Sequence, residues 1–114
     1  MEIRKEWLKG YIDVIILSLL VDEDLYGYEM SKKMKKVSGN SFVLKEGTLY
    51  PALKRLETKL LIEGYWTDSE GAARRKYYRI TSTGIEEFKS SQNEWLVLKN
   101  ILQSFLEGND HGKN

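Results

Sequence analysis

A chain of 114 residues has room for one domain with one modest core. Its formal charge of +1 says little as a total, but the charge is unevenly placed. Residues 1–25 hold three Lys/Arg against six Asp/Glu, residues 26–82 twelve against six, and residues 83–114 three against five. A basic middle between acidic ends is an electrostatic footprint for a polyanion. There is no cysteine, and the single histidine, His111, lies in a Gly/Asn/Asp/Lys tail. Disulfides, thiolate metal sites and imidazole catalysis are thereby excluded. With no Gly-rich phosphate loop and no acidic pair in a metal-ligand pattern, the expectation is a protein that is not an enzyme and needs no cofactor or metal. The longest apolar run, Val14 to Val21, is interrupted by Ser18 and is too short to cross a bilayer. The N-terminus lacks the order of a signal peptide, so a soluble cytoplasmic protein is expected.

In chain order, residues 4–21 predict a first helix whose second half is apolar nearly all round and must be covered on several sides, a second copy of the chain being one such cover. Asp22-Glu23-Asp24 breaks it. A second helix is expected from Leu25 to about Val37, ended by Ser38-Gly39-Asn40. Phe42-Val43-Leu44 then lead into a third helix. There Leu49, Leu53, Leu56 and Leu60 recur at steps of four, three and four, while Tyr50, Pro51, Lys54, Arg55 and Thr58 fall opposite. An outward face with an aromatic hydroxyl, a rigid ring and two cations suits a helix that meets a polyanion and reads its edges. Pro51 is best placed in the first turn, and a start as early as Glu46 would set it too deep and distort the helix locally.

Two runs rich in aromatic and β-branched residues follow, at about 62–68 and 76–81, separated by the polar, Gly-containing stretch Asp68 to Ala73. They predict a β-hairpin whose second strand is entered through Arg74-Arg75-Lys76. A basic hairpin directly after a basic-faced helix outlines a winged helix-turn-helix. A last helix is expected from about 83 to 107, with N-cap candidates in Thr81-Ser82-Thr83-Gly84. Ile85, Phe88, Trp95, Leu102 and Leu106 form its heptad-like stripe, interrupted by Gln92 and Lys99, and Leu98, Ile101 and Phe105 form a second flank. The fold class is thus mainly α with a small β-hairpin. The expected organisation is a winged helix-turn-helix domain over 1–81, a C-terminal dimerisation helix over 82–107 and a flexible tail over 108–114.

These residues resemble the PadR family of bacterial transcriptional regulators. The resemblance rests on Tyr26-Gly27-Tyr28-Glu29, on Gly47-Thr48-Leu49-Tyr50-Pro51-Ala52-Leu53 with Leu56-Glu57, on Gly64-Tyr65-Trp66, and on Arg74 to Thr81. It covers nearly the whole chain, and the single long C-terminal helix looks like the short subfamily, which includes multidrug-sensing repressors. The resemblance implies a homodimeric repressor on an inverted-repeat DNA operator, often beside genes for transport or detoxification. Some members of that branch use a Trp on the last helix to sandwich flat aromatic compounds between subunits, and Trp95 occupies the matching place. Gln92 and Lys99 beside it depart from the apolar or acidic choices expected for cationic drugs.

For DNA, Thr48, Tyr50 and Lys54 are expected at base edges or adjacent phosphates, Lys45, Arg55, Lys32 and Lys35 at phosphates, and Arg74, Arg75 and Lys76 along the wing. For a planar aromatic effector, Trp7, Tyr11 and Val14 share one face of a continuous helix and would wall a site with Gln92, Trp95 and Lys99. The bland alternative is that Trp7 and Trp95 simply pack the dimer core. A winged helix serving only protein–protein contact is the competing function, and it would need large apolar anchors on the third helix.

Overall fold

A computed structural model describes residues 5–69 and 72–108. The continuous first helix expected from the apolar run does not form. A short α1 (Lys5–Leu8) passes through a 3₁₀ turn (Lys9–Tyr11) into α2 (Ile12–Leu20). Gly10 sits in that turn with open space around it, and a glycine in a helix interior costs roughly 0.5–1 kcal/mol relative to alanine. The break therefore falls where the helix is weakest.

The second helix also starts later than expected. Leu25–Tyr26 form a two-residue strand, β1, before α3 (Gly27–Val37). The Glu29 carboxylate accepts from the Tyr26 N–H at 3.2 Å, covering one unpaired donor at the helix start. At the other end, Gly39 and Asn40 both have positive φ, and the Asn40 N–H returns to the Lys35 carbonyl at 2.8 Å.

Helix α4 (Glu46–Thr58) begins at the early position, so Pro51 is its sixth residue. The ring removes the N–H that would bond the Gly47 carbonyl, yet the helix runs on to Thr58. Leu49, Leu53 and Leu56 are buried as the spacing predicts, but Leu60 is not. The helix ends two residues earlier, and Leu60 turns out to solvent at φ 63°. Its N–H bonds the Glu57 carbonyl at 2.9 Å while the Leu61 N–H bonds that of Leu56 at 3.0 Å, the paired pattern of a Schellman turn.

The hairpin strands are β2 (Ile62–Ser69) and β3 (Ala72–Ile80), longer than expected, and the sheet order is β1-β3-β2, all antiparallel. Leu25 pairs with Tyr78 and Tyr26 with Tyr77, so the segment before α3 is tied to the wing's central strand. Near the tip the register shifts, leaving Ala73 and Arg74 opposite Asp68. One core gathers Ile16, Leu17, Leu19 and Leu20 of α2, Met30 and Met34 of α3, and Leu49, Ala52, Leu53 and Leu56 of α4. Leu25, Ile62 and Tyr78 close it from the sheet.

Helix α5 (Ser82–Leu106) is capped by Thr81, whose Oγ1 accepts from the Gly84 N–H at 3.0 Å and donates to the Leu60 carbonyl at 2.8 Å. A Cβ on Gly84 would collide with the Leu61 carbonyl, so only glycine lets the start of α5 lie against the end of α4. Beyond Phe88 the helix leaves the core. No helix among the described residues is long and apolar enough to cross a membrane.

Candidate nucleic-acid interface

On α4, burying the leucine stripe turns Thr48, Tyr50, Pro51 and Lys54 to solvent, with Lys45 exposed just before the first turn. Tyr50 rests against the start of α3, because a Cβ on Gly27 would collide with its hydroxyl. Next to Gly27, Tyr28 is 63% exposed, stacks on Tyr26 at 6.3 Å between centroids, and carries Lys32 Nζ over its own ring at 5.5 Å. Tyr26 in turn lies under the Arg75 guanidinium at 4.8 Å. One chain of contacts thus runs from the outer face of α4, across the N-terminus of α3, to the wing. Lys35 is exposed in the last turn of α3. Lys33, next to Lys32 in sequence, turns inward to Glu23 at 3.1 Å and the Leu19 carbonyl at 3.3 Å.

Arg55 and Lys76, both expected at DNA, are paired with carboxylates from other elements of the chain. Arg55 Nη2 meets Asp13 Oδ1 of α2 at 2.5 Å, with Lys59 Nζ 3.9 Å from the same carboxylate. That hydrogen bond keeps the Arg55 proton more firmly than usual. Lys76 Nζ meets Glu57 Oε1 of α4 at 3.2 Å and lies 5.3 Å from the centre of the Tyr78 ring. Burial alone would depress the Lys76 pKa, but the hydrogen bond to Glu57 and the influence of Tyr78 outweigh it and the net shift is upward. Tyr78 is pushed up chiefly by burial, and Tyr65 chiefly by its hydrogen bond to Asp24 at 2.5 Å.

The run Arg74-Arg75-Lys76 therefore does not present one patch. Strand alternation sets Lys76 beside Trp66, whose ring carries Arg74 at 5.3 Å, with Asp68 3.1 Å from Arg74 Nε. Arg75 points to the opposite face with Tyr65, Tyr77 and Arg79, the last paired with Glu63 at 3.2 Å. Sequence reasoning missed Tyr28 as part of the surface, although its motif was in view. It also missed Asp13 and Glu57 as partners, for which local spacing carries no signal.

Of the residues expected to wall an effector site, the structure joins Tyr11 and Trp95, edge to face at 6.1 Å. Trp7 lies on α1, Tyr11 in the 3₁₀ turn and Val14 on α2, so the three do not share a single helix face. Gln92 and Lys99 are exposed on α5. A separate open cleft of about 540 Å³ lies between the N-terminal segment (Lys9, Gly10, Ile12, Asp13) and α4 (Gly47, Thr48, Pro51, Arg55). Among the described residues no group of three His, Cys, Asp or Glu could hold a metal ion.

Residues 16–90 match the model of the transcriptional regulator PadR-like family. An uncharacterised protein of Lysinibacillus sphaericus is 42% identical over 106 residues, spanning 93% of this chain and 97% of its own. A transcriptional regulator from Clostridium thermocellum has a solved structure that superposes with a TM-score of 0.82 at 42% identity, covering 88% of this chain and 97% of that one. A PadR-like transcriptional regulator from Bacillus cereus superposes at 0.78 with 36% identity, covering 91% and 99%. With that agreement in sequence and fold, the chain belongs to the PadR-like family of transcriptional regulators.

Proposed function

We propose that this chain is a repressor that binds an inverted-repeat DNA operator as a homodimer, with α4 in the major groove and the β2–β3 wing along the adjacent backbone. The observation that carries this reading is the continuous polar and cationic surface from Lys54 and Thr48, through Tyr50, Tyr28 and Lys32, to Arg75. Lys45 adds charge at the start of α4, where no side chain caps the first turn and its positive end faces outward. Lys35 and Arg74 extend the phosphate-binding rim. Arg55 would join with the guanidinium donors that its pair with Asp13 leaves unused.

The dimer is supported by α5, on which Trp95, Leu98 and Leu102 recur at steps of three and four, with Ile101 beside them. Trp95, Ile101 and Leu102 are each more than two-fifths exposed in the single chain. An apolar stripe of that length marks an interaction face, and a two-fold axis is the simplest way for one chain to cover it. Two copies of α4 would then meet successive major grooves.

Gel-shift on the chain's own promoter region tests the reading. Affinity should fall on the order of 10³-fold between 50 and 200 mM salt as phosphate contacts are lost. Lys54→Ala should cost more on operator than on random DNA, whereas Arg75→Ala should weaken both about equally. Binding that barely responds to salt would sink the proposal. The outer face of α4 has no large aliphatic anchor, which disfavours a module for protein contact alone. The Tyr11–Trp95 pair, where the 3₁₀ turn meets α5, supports a planar aromatic effector at the dimer interface. Such a ligand relieves repression only if it binds better to a dimer that misfits the operator. Dye titration followed by Trp fluorescence checks this: equal affinity in Trp95→Ala would remove the site.

A further inference from the structure

Lys76 and Glu57 join the wing to the helix that would lie in the groove, and the space they use is reserved by a missing side chain. A Cβ on Gly64 would collide with Lys76 Cε and come within 2.8 Å of Glu57 Oε2. Gly64 is opposite Tyr78 in the hairpin, two pairs along from Trp66 and Lys76 and on the same face, so the lysine stem crosses β2 over the glycine to reach α4. Both members of the pair are about a third exposed, which leaves them less screened than the rim pairs Arg74–Asp68 and Arg79–Glu63. The Tyr78 ring beneath Lys76 is itself buried and belongs to the core.

We infer that Glu57, Lys76 and Gly64 form a strut that sets the angle between the wing and α4, so that Lys76 is a positioning residue and not a DNA contact. This rests on the DNA-binding reading proposed above for its effect on affinity, but the strut itself is a property of the protein without DNA. Its use is geometric. Arg75 and Arg74 reach the DNA backbone only if the hairpin leaves α4 at the angle the duplex requires; pairing with β1 and the burial of Ile62 and Tyr78 anchor its base, and the strut limits the tilt of the part beyond them.

Two variants give opposite signs under the competing accounts. Glu57→Gln removes a negative charge near the DNA surface, so simple electrostatics predicts tighter binding, whereas loss of the strut predicts about fivefold weaker operator binding. Gly64→Ala keeps both charges and displaces the lysine. If Lys76 were a phosphate contact, freeing it would leave affinity level or raise it, whereas the strut predicts a fall of similar size. In the protein without DNA, amide exchange along β2 and β3 should speed up in both variants while exchange in α2 and α4 stays unchanged. Lys76→Arg, which keeps the charge and the reach, should restore most of the wild-type behaviour. Affinity that holds or rises in Glu57→Gln, or wing exchange that does not change, overturns the strut. If the wild-type chain binds no DNA at all, the proposed function fails and the exchange result alone decides the strut.

Discussion

Two apolar helices of this chain meet opposite fates. Within its nine residues α2 buries Ile16, Leu17, Leu19 and Leu20, whereas the 25 residues of α5 bury only Gly84. Both announce themselves in sequence as apolar, the first nearly all round and the last along a stripe. α2 finds its cover in α3, α4, the sheet and the first part of α5, while farther along α5 keeps Leu96, Val97, Ile101 and Leu102 largely in solvent. Hydrophobic periodicity states that a face needs a partner and is silent about which molecule provides it.

That contrast can be broken first at the covered end. Leu53 is fully buried at the centre of the core, so Leu53→Ala should cost about 2–5 kcal/mol in denaturant unfolding. A cost below about 1 kcal/mol would mean that α4 is not packed as described. At the uncovered end the expectation reverses. Leu102→Asp should hardly alter the folded protomer, yet it should convert a dimer to a monomer in sedimentation experiments. A wild-type chain that sediments as a monomer would remove the assembly altogether. The smallest effect is at Leu60, exposed and left-handed. Leu60→Gly should stabilise by about 0.5–1 kcal/mol by relieving the backbone penalty. Destabilisation instead would show that the Leu60 side chain is covered in the assembly.

Much of the fold was legible because its elements are long or strongly periodic. Leu49, Leu53 and Leu56 told the inner face of α4 from its outer face, and the aromatic runs located the hairpin. Leu60 was misplaced because a helix end set by two backbone hydrogen bonds leaves no trace in the spacing of leucines. Strand β1 was missed because two residues cannot display alternation, and Leu25-Tyr26 reads equally well as the opening of a helix. Gly10 was in plain sight, but its neighbours are apolar enough to hide a break. At the candidate interface the cations themselves were visible and their partners were not. Arg55 finds Asp13, and Lys76 finds Glu57, across separations that only the folded chain closes. Charge in a sequence is therefore an inventory, and how much of it reaches a ligand is decided by packing.

Strand β1 also bears on the order in which the chain can assemble. Its pairing with Tyr77 and Tyr78 spans about fifty residues, and closing a loop of that length costs roughly 3.5 kcal/mol of chain entropy before any contact repays it. The β2–β3 ladder closes a turn of a few residues and faces no such barrier. One small sheet is thus completed in two stages, a ribbon that can zip locally and a clasp that waits until the intervening helices have drawn its ends together.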